Sequence, residues 1–182
     1  MIRQMLADAG QKDLPGRYVR PDAPGAQAAA SADSMRSPET YVGYARAENF
    51  AGGDLAHDEP RTYLAPGTLM TNQWALDGRW SVGDENARLG SPEGRIVYRF
   101  RGRDLHLVLG PGRDGKPVRY RVLIDGKAPG ADRGMDIDAG GNGTVNEQRL
   151  YQLVRLANGS NEHTFEIRFL DPGVLAYAFT FG

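Results

Sequence analysis

Cysteine is absent from the 182-residue chain. That gap excludes thiol redox chemistry, disulfide staples and cysteine-bound zinc or iron–sulfur centres. It leaves the compartment open, because a cysteine-free domain holds in oxidising and reducing surroundings alike. No apolar run approaches the roughly 18–20 residues that span a bilayer, so no membrane insertion is expected of this segment. The first ten residues carry polar interruptions where the apolar stretch of a signal peptide would lie, so any export signal is expected upstream. No charge of one sign predominates: 22 Lys+Arg stand against 23 Asp+Glu, for a net charge of −1. A chain so balanced generates no field that draws it to nucleic acid or to an anionic membrane. Lysine is scarce, three residues against 19 arginines, a bias attributed to base composition rather than to function. What remains is a globular composition, 40% hydrophobic and 25% charged, long enough to bury the core of one ordinary domain.

The chain divides near residue 38. Ile2, Met5, Leu6 and Ala9 recur at helical spacing, with Gly10 where a C-cap belongs, which predicts a helix too short to be stable alone. Residues 21–38 are small and polar and read as a linker. A lone helix before a linker is expected to be the last helix of an upstream domain; the alternative is an N-terminal helix packed on the domain at 39–182. Domain limits are therefore set at 1–38 and 39–182.

Beyond residue 39 the pattern is strand. Ile96, Tyr98 and Phe100 alternate with Arg95, Val97 and Arg99; Leu105, Leu107 and Leu109 alternate with Asp104, His106 and Val108. Val118, Tyr120, Val122 and Ile124 obey the same rule, and later come 149–156, 164–170 and 174–181, where Leu175, Tyr177, Phe179 and Phe181 are expected on one face. Period-two alternation means one buried and one wet face, the signature of antiparallel sheet. Glycine-rich turn clusters at 110–115, 125–130, 138–143, 158–160 and 171–173 separate the runs. Short strands at such spacing predict an all-β sandwich.

Catalytic motifs are few. Gly110, Gly112 and Gly115 match G-x-G-x-x-G after a strand, but the continuation is another strand instead of the helix whose amides would face a pyrophosphate; the segment is read as a hairpin loop. His57, His106 and His163 are far apart, His106 on a sheet face and His163 expected to be solvated. No G-x-S-x-G, H-E-x-x-H or Walker sequence occurs. Asp136, Asp138 and Asn142 alternate around glycines and are read first as an ordinary turn, with a structural calcium ion as the alternative since oxygen ligands at such spacing can wrap a hard cation; no other cofactor is expected.

Binding features are more numerous. Trp74 and Trp80 flank an Asp-Gly pair read as a turn, beside Asn72. Tryptophan stacks on sugar rings and Asn or Arg reads their hydroxyls, while large aromatics equally fill cores; one of the two is expected inside. Arg99, Arg119 and Arg121 alternate outward on strands expected to form a hairpin, either as a basic stripe or as a plain solvated face.

These segments carry a resemblance. Pro38–Tyr44, Asn72–Trp80, Ile96–Phe100, Arg103–Leu109, Arg149–Arg155, Thr164–Val174 and Ala176–Gly182 resemble the C-terminal region of DipZ-type proteins of the thioredoxin family, over roughly residues 36–182. The resemblance implies a jelly-roll β-sandwich, similar to galactose-binding and carbohydrate-binding modules, behind a thioredoxin-like domain whose last helix the Ile2–Ala9 segment resembles. It implies a periplasmic or extracytoplasmic location and an upstream thioredoxin-like partner in the same chain. The redox cysteines of the family lie in that partner, so no catalytic residue carries over. The expected function is a non-catalytic accessory domain that binds carbohydrate, with Trp74, Trp80, Asn72, Arg119 and Arg121 as ligand contacts. A domain packing on its thioredoxin-like neighbour or on a protein substrate is the alternative, and a glycan-active hydrolase is third.

Overall fold

A computed structural model describes residues 36–112, 114–157 and 161–182. The Ile2–Ala9 helix, the linker as far as residue 35 and the 158–160 turn lie outside the described residues. Ser37, assigned to the linker, is buried and its amide donates to the Arg101 carbonyl at 2.8 Å.

Eleven strands form: β1 Thr40–Tyr41, β2 Pro60–Tyr63, β3 Trp74–Val82, β4 Ala87–Leu89, β5 Arg95–Arg101, β6 Asp104–Gly110, β7 Val118–Ile124, β8 Asn142–Val145, β9 Arg149–Arg155, β10 Glu162–Phe169 and β11 Leu175–Phe181. A single 3₁₀ turn, Gly130–Asp132, is the only helical element among the described residues. Every strand pair is antiparallel, and the sheet runs β8-β7-β10-β5-β3-β4-β11-β6-β9, with β1 on β11 and β2 on β3.

β3 joins two halves of this curled sheet. Its first residues, Trp74 to Asp77, pair with β5, and the rest pair with β2 and β4. The Asp77-Gly78 pair is thus no turn between the tryptophans but the corner of one continuous strand. Gly78 takes φ +96, and a Cβ there would meet the Gly94 backbone at 3.0 Å, so a residue free of Cβ is required. We call the β8-β7-β10-β5 side the first half-sheet and the β4-β11-β6-β9 side the second.

The inward residues of both halves form one core. Trp80 meets Phe169 and Tyr98 meets Phe179, at centroid distances of 5.9 and 5.1 Å. Each such buried side chain contributes on the order of 1.5–3 kcal/mol. The segment between β6 and β7 is not a hairpin loop: β6 pairs with β11 and β9, and β7 pairs with β10 and β8, so the connection crosses from the second half-sheet to the first. β11 also departs from simple alternation. A register shift between Ala176 and Phe179 turns Leu175 and Tyr177 outward while Phe179 and Phe181 stay inside, as the extra residue of a bulge requires.

Candidate functional site

The outward face of the first half-sheet collects the charged residues of three strands. β5 and β7 are not hairpin partners: β10 lies between them and adds its own outward residues. In register, Glu162 faces Arg101, Thr164 faces Arg99, and Arg168 faces Arg95 on one side and Arg121 on the other. Arg95 donates to Asp77 at 3.2 Å and to Glu166 at 3.1 Å, and Arg168 also donates to Glu166. Arg99 reaches Thr164 at 3.1 Å and Glu162 at 3.4 Å, and Arg101 reaches Glu162 at 3.4 Å. A hydrogen bond from Thr71, followed by Arg101 and Arg99, holds the Glu162 carboxyl below its ordinary value although partial burial opposes this. Desolvation disfavours the charge on Arg95, but Asp77 and Glu166 outweigh it and raise its value.

Two depressions open on this face. One, of about 310 Å³, is lined by Glu93, Arg95, Arg121, Arg168 and Leu170. The other, of about 430 Å³, lies between the 66–71 loop and Val97, Arg99, Glu162 and Thr164. That loop is fixed from three sides. Leu69 is buried against Ala75 and Val97, the Ala65 amide donates to Asp77 at 3.1 Å, and the Met70 amide donates to Gln73 at 2.9 Å. Leu64 and Met70 nonetheless project into solvent, 81% and 70% exposed.

The residues expected to bind ligand fare unequally. Trp74 and Trp80 are both 0% exposed, so neither offers a ring for stacking. Both point inward on β3 and satisfy their indole N–H groups on the Glu48 and Asp77 carbonyls, each at 2.8 Å. The expectation of one core tryptophan is corrected to two, because both share the inward parity of one strand. Asn72 is a turn residue with φ +68; its amide donates to the Arg99 carbonyl and its side chain accepts from Ser37 at 2.6 Å. Arg119 is held by Asp171 through two guanidinium bonds of 2.9 and 2.8 Å. That grip keeps the Asp171 carboxyl at about 2. Arg121, of the expected residues, lines the 310 Å³ depression.

In the acidic loop the side chains are held by neighbouring groups. Asp136 accepts from Arg149 and from the Gln152 amide, each at 2.7 Å, while Asp138 accepts from the Asn142 amide at 2.9 Å. The carboxylates are thus engaged with separate partners, and no group of three metal-ligating residues assembles among the described residues. The histidines are also separate. His57 stacks on Tyr44 with ring centroids 4.0 Å apart, and His106 is half-buried on β6. His163 is not freely solvated, since its Nδ1 lies 2.7 Å from an Asp125 carboxylate oxygen.

Sequence reading missed Arg95, Arg168, Glu93 and Glu166 as companions of Arg121. The available signal was parity: Arg168 and Glu166 alternate with Phe165, Ile167 and Phe169 and so face out with Arg95. That β10 inserts between β5 and β7 is a non-local pairing with no local trace.

A family model described as thioredoxin-like C-terminal domain matches residues 37–182. Protein DipZ of Mycobacterium bovis and Protein DipZ of Mycobacterium tuberculosis are each 28% identical to the chain, over 67% of its length and 18% of theirs. The chain thus spans less than a fifth of the curated relatives it matches.

Proposed function

Since this chain belongs to the family of thioredoxin-like C-terminal domains, we propose that it is the non-catalytic binding domain of a larger extracytoplasmic thiol–disulfide protein, and that its ligand is a carbohydrate. The redox chemistry then belongs to an upstream thioredoxin-like domain, and this domain tethers it to glycan of the cell envelope. The crossing of successive strands between the two half-sheets supports a jelly-roll arrangement of the kind found in carbohydrate-binding modules, though fold alone does not carry function.

The observation that carries the reading is the outward lattice on β5, β10 and β7. Planar guanidinium and carboxylate groups stand at fixed spacing beside two depressions, and such groups read sugar hydroxyls through directional hydrogen bonds. The test is a glycan panel including peptidoglycan fragments, screened by thermal shift and then by amide chemical-shift mapping. Binding to the native state raises the melting temperature by mass action. Shifts should concentrate on β5, β7, β10 and the 66–71 loop. Perturbations confined to the second half-sheet, or no response to any glycan, would overturn the proposal.

A second reading has its own support. The exposed Leu64 and Met70, close in sequence on the loop beside the larger depression, suit a protein contact more than a sugar contact. Docking on the upstream domain predicts that Leu64→Ser with Met70→Ser frees the two domains to tumble independently in the full-length protein.

A further inference from the structure

One register row crosses the outward face: Arg95 on β5, Arg168 on β10 and Arg121 on β7, each directly opposite the next. Like charges set opposite each other destabilise a sheet. Glu166 relieves part of the row by accepting from both Arg95 and Arg168, and Asp77 gives Arg95 a second partner. Arg121 is exposed and has no ion-pair partner among the described residues. The row lines the 310 Å³ depression with Glu93 and Leu170. Three guanidiniums stand against three carboxylates, Glu166, Asp77 and Glu93, but the pairing is uneven: Glu166 and Asp77 serve Arg95 and Arg168, and no ion pair among the described residues reaches Arg121.

Resting on the carbohydrate reading, we propose that this depression is the subsite for a carboxylate-bearing sugar and that Arg121 is its anchor. A guanidinium holds a carboxylate through two parallel N–H bonds, with more direction than an ammonium provides. With Glu166, Asp77 and Glu93 close by, the surroundings of Arg121 tolerate a monoanionic carboxylate better than a phosphate dianion. Leu170, 41% exposed at the rim, gives the C–H face of a pyranose an apolar wall. The ligand's carboxylate also supplies the ion-pair partner that Arg121, unlike Arg95 and Arg168, does not have among the described residues. The face therefore discriminates between acidic and neutral glycans, which its hydroxyl-reading groups alone would not do.

The experiment titrates the chain by calorimetry with an oligogalacturonate, with the same oligomer fully methyl-esterified, and with a glutamate oligopeptide of equal charge. The free acid should bind, the ester should bind at least about tenfold more weakly, and Arg121→Gln should weaken the acid by about the same factor. Arg121→Lys, which keeps the charge and loses the planar fork, should fall between wild type and Arg121→Gln. Because Arg121 is exposed, the thermal midpoints of both variants should match wild type, separating lost contact from lost fold. Acid and ester binding equally well would overturn the carboxylate subsite and leave the carbohydrate reading standing. The peptide binding as tightly as the uronate would overturn both, since charge alone would then be read. No binding of the uronate at all would overturn the subsite, with the neutral glycan panel judging the broader reading.

Discussion

Arginine meets carboxylate in two places, and the two are built in opposite ways. At the start of β6, the Asp104 side chain is 3% exposed and accepts from Arg155 at 2.7 Å and Arg103 at 2.8 Å, while both arginines reach solvent. Its backbone is tied to Gly182 in both directions, each bond 3.0 Å. There the buried partner is the anion, it is fully satisfied, and the cluster fastens the end of β11 to β6. On the outward face of the first half-sheet the row of cations is unevenly paired: Arg95 and Arg168 hold Glu166 and Asp77, and the exposed Arg121 is left over. The first arrangement is explained by the fold it holds; the second opposes the sheet it stands on. An unpartnered charge that weakens a sheet is better understood through what binds it than through what it stabilises.

The contrast can be tested by removing each partner in turn. Asp104→Asn leaves two arginines without their anion and should lower the unfolding free energy by about 3 kcal/mol, the low end for a broken buried pair because the cations reach water; urea denaturation measures it. Next comes acid. Burial opposes ionisation of Asp104, but the bonds from Arg155 and Arg103 win and hold its value down. The Thr164 amide and His163 do the same for Asp125 against its own burial, and Arg119 holds Asp171 at about 2. A carboxylate depressed in the native state contributes stability that is fully present above its unfolded value, roughly 4, and is lost as pH falls through the folded value. Stability should therefore be level down to about pH 5 and decline between about 4 and 2, less steeply in Asp104→Asn. Arg119→Gln should be nearly silent in a melt at neutral pH, as surface pairs are, while the Asp171 carboxyl, tracked by NMR, rises toward about 4. Smallest of all, Arg121→Gln should leave the urea midpoint unchanged or slightly raised. A clear loss of stability there would make the row structural and remove the contrast.

Much of this architecture was legible in the residues. The long strands β5, β6, β7 and β10 follow from alternation, because burial on one face enforces period two, while β9 buries Tyr151 to Val154 in succession and β11 changes phase at its bulge. The short strands β1, β2, β4 and β8 run two to four residues, too few for a period to register. Asp77-Gly78 misled because that dipeptide favours turns, whereas here glycine serves the corner that carries β3 from one half-sheet to the other. Leu175 and Tyr177 changed face because a bulge alters phase without altering composition. Of the site, Arg99, Arg119 and Arg121 were visible as outward arginines, but only pairing between distant strands shows that Arg119 is occupied by Asp171 while Arg121 stands beside Arg168. Trp74 and Trp80 drew attention by residue type, and their parity on one strand sends both inward.

The order of the strands bears on how the chain is made. β10 sits between β7 and β5, and β11 between β4 and β6, so two strands translated after all the others described fill central places in each half. Until they emerge from the ribosome, β5, β7, β4 and β6 each present a vacant hydrogen-bonding edge, and the aromatic interior lacks Phe165, Phe169, Phe179 and Phe181. Closure waits on contacts of long sequence separation, which are formed slowly, and open edges invite pairing with the wrong chain. Synthesis thus leaves the other strands of both halves with open edges until β10 and β11 arrive.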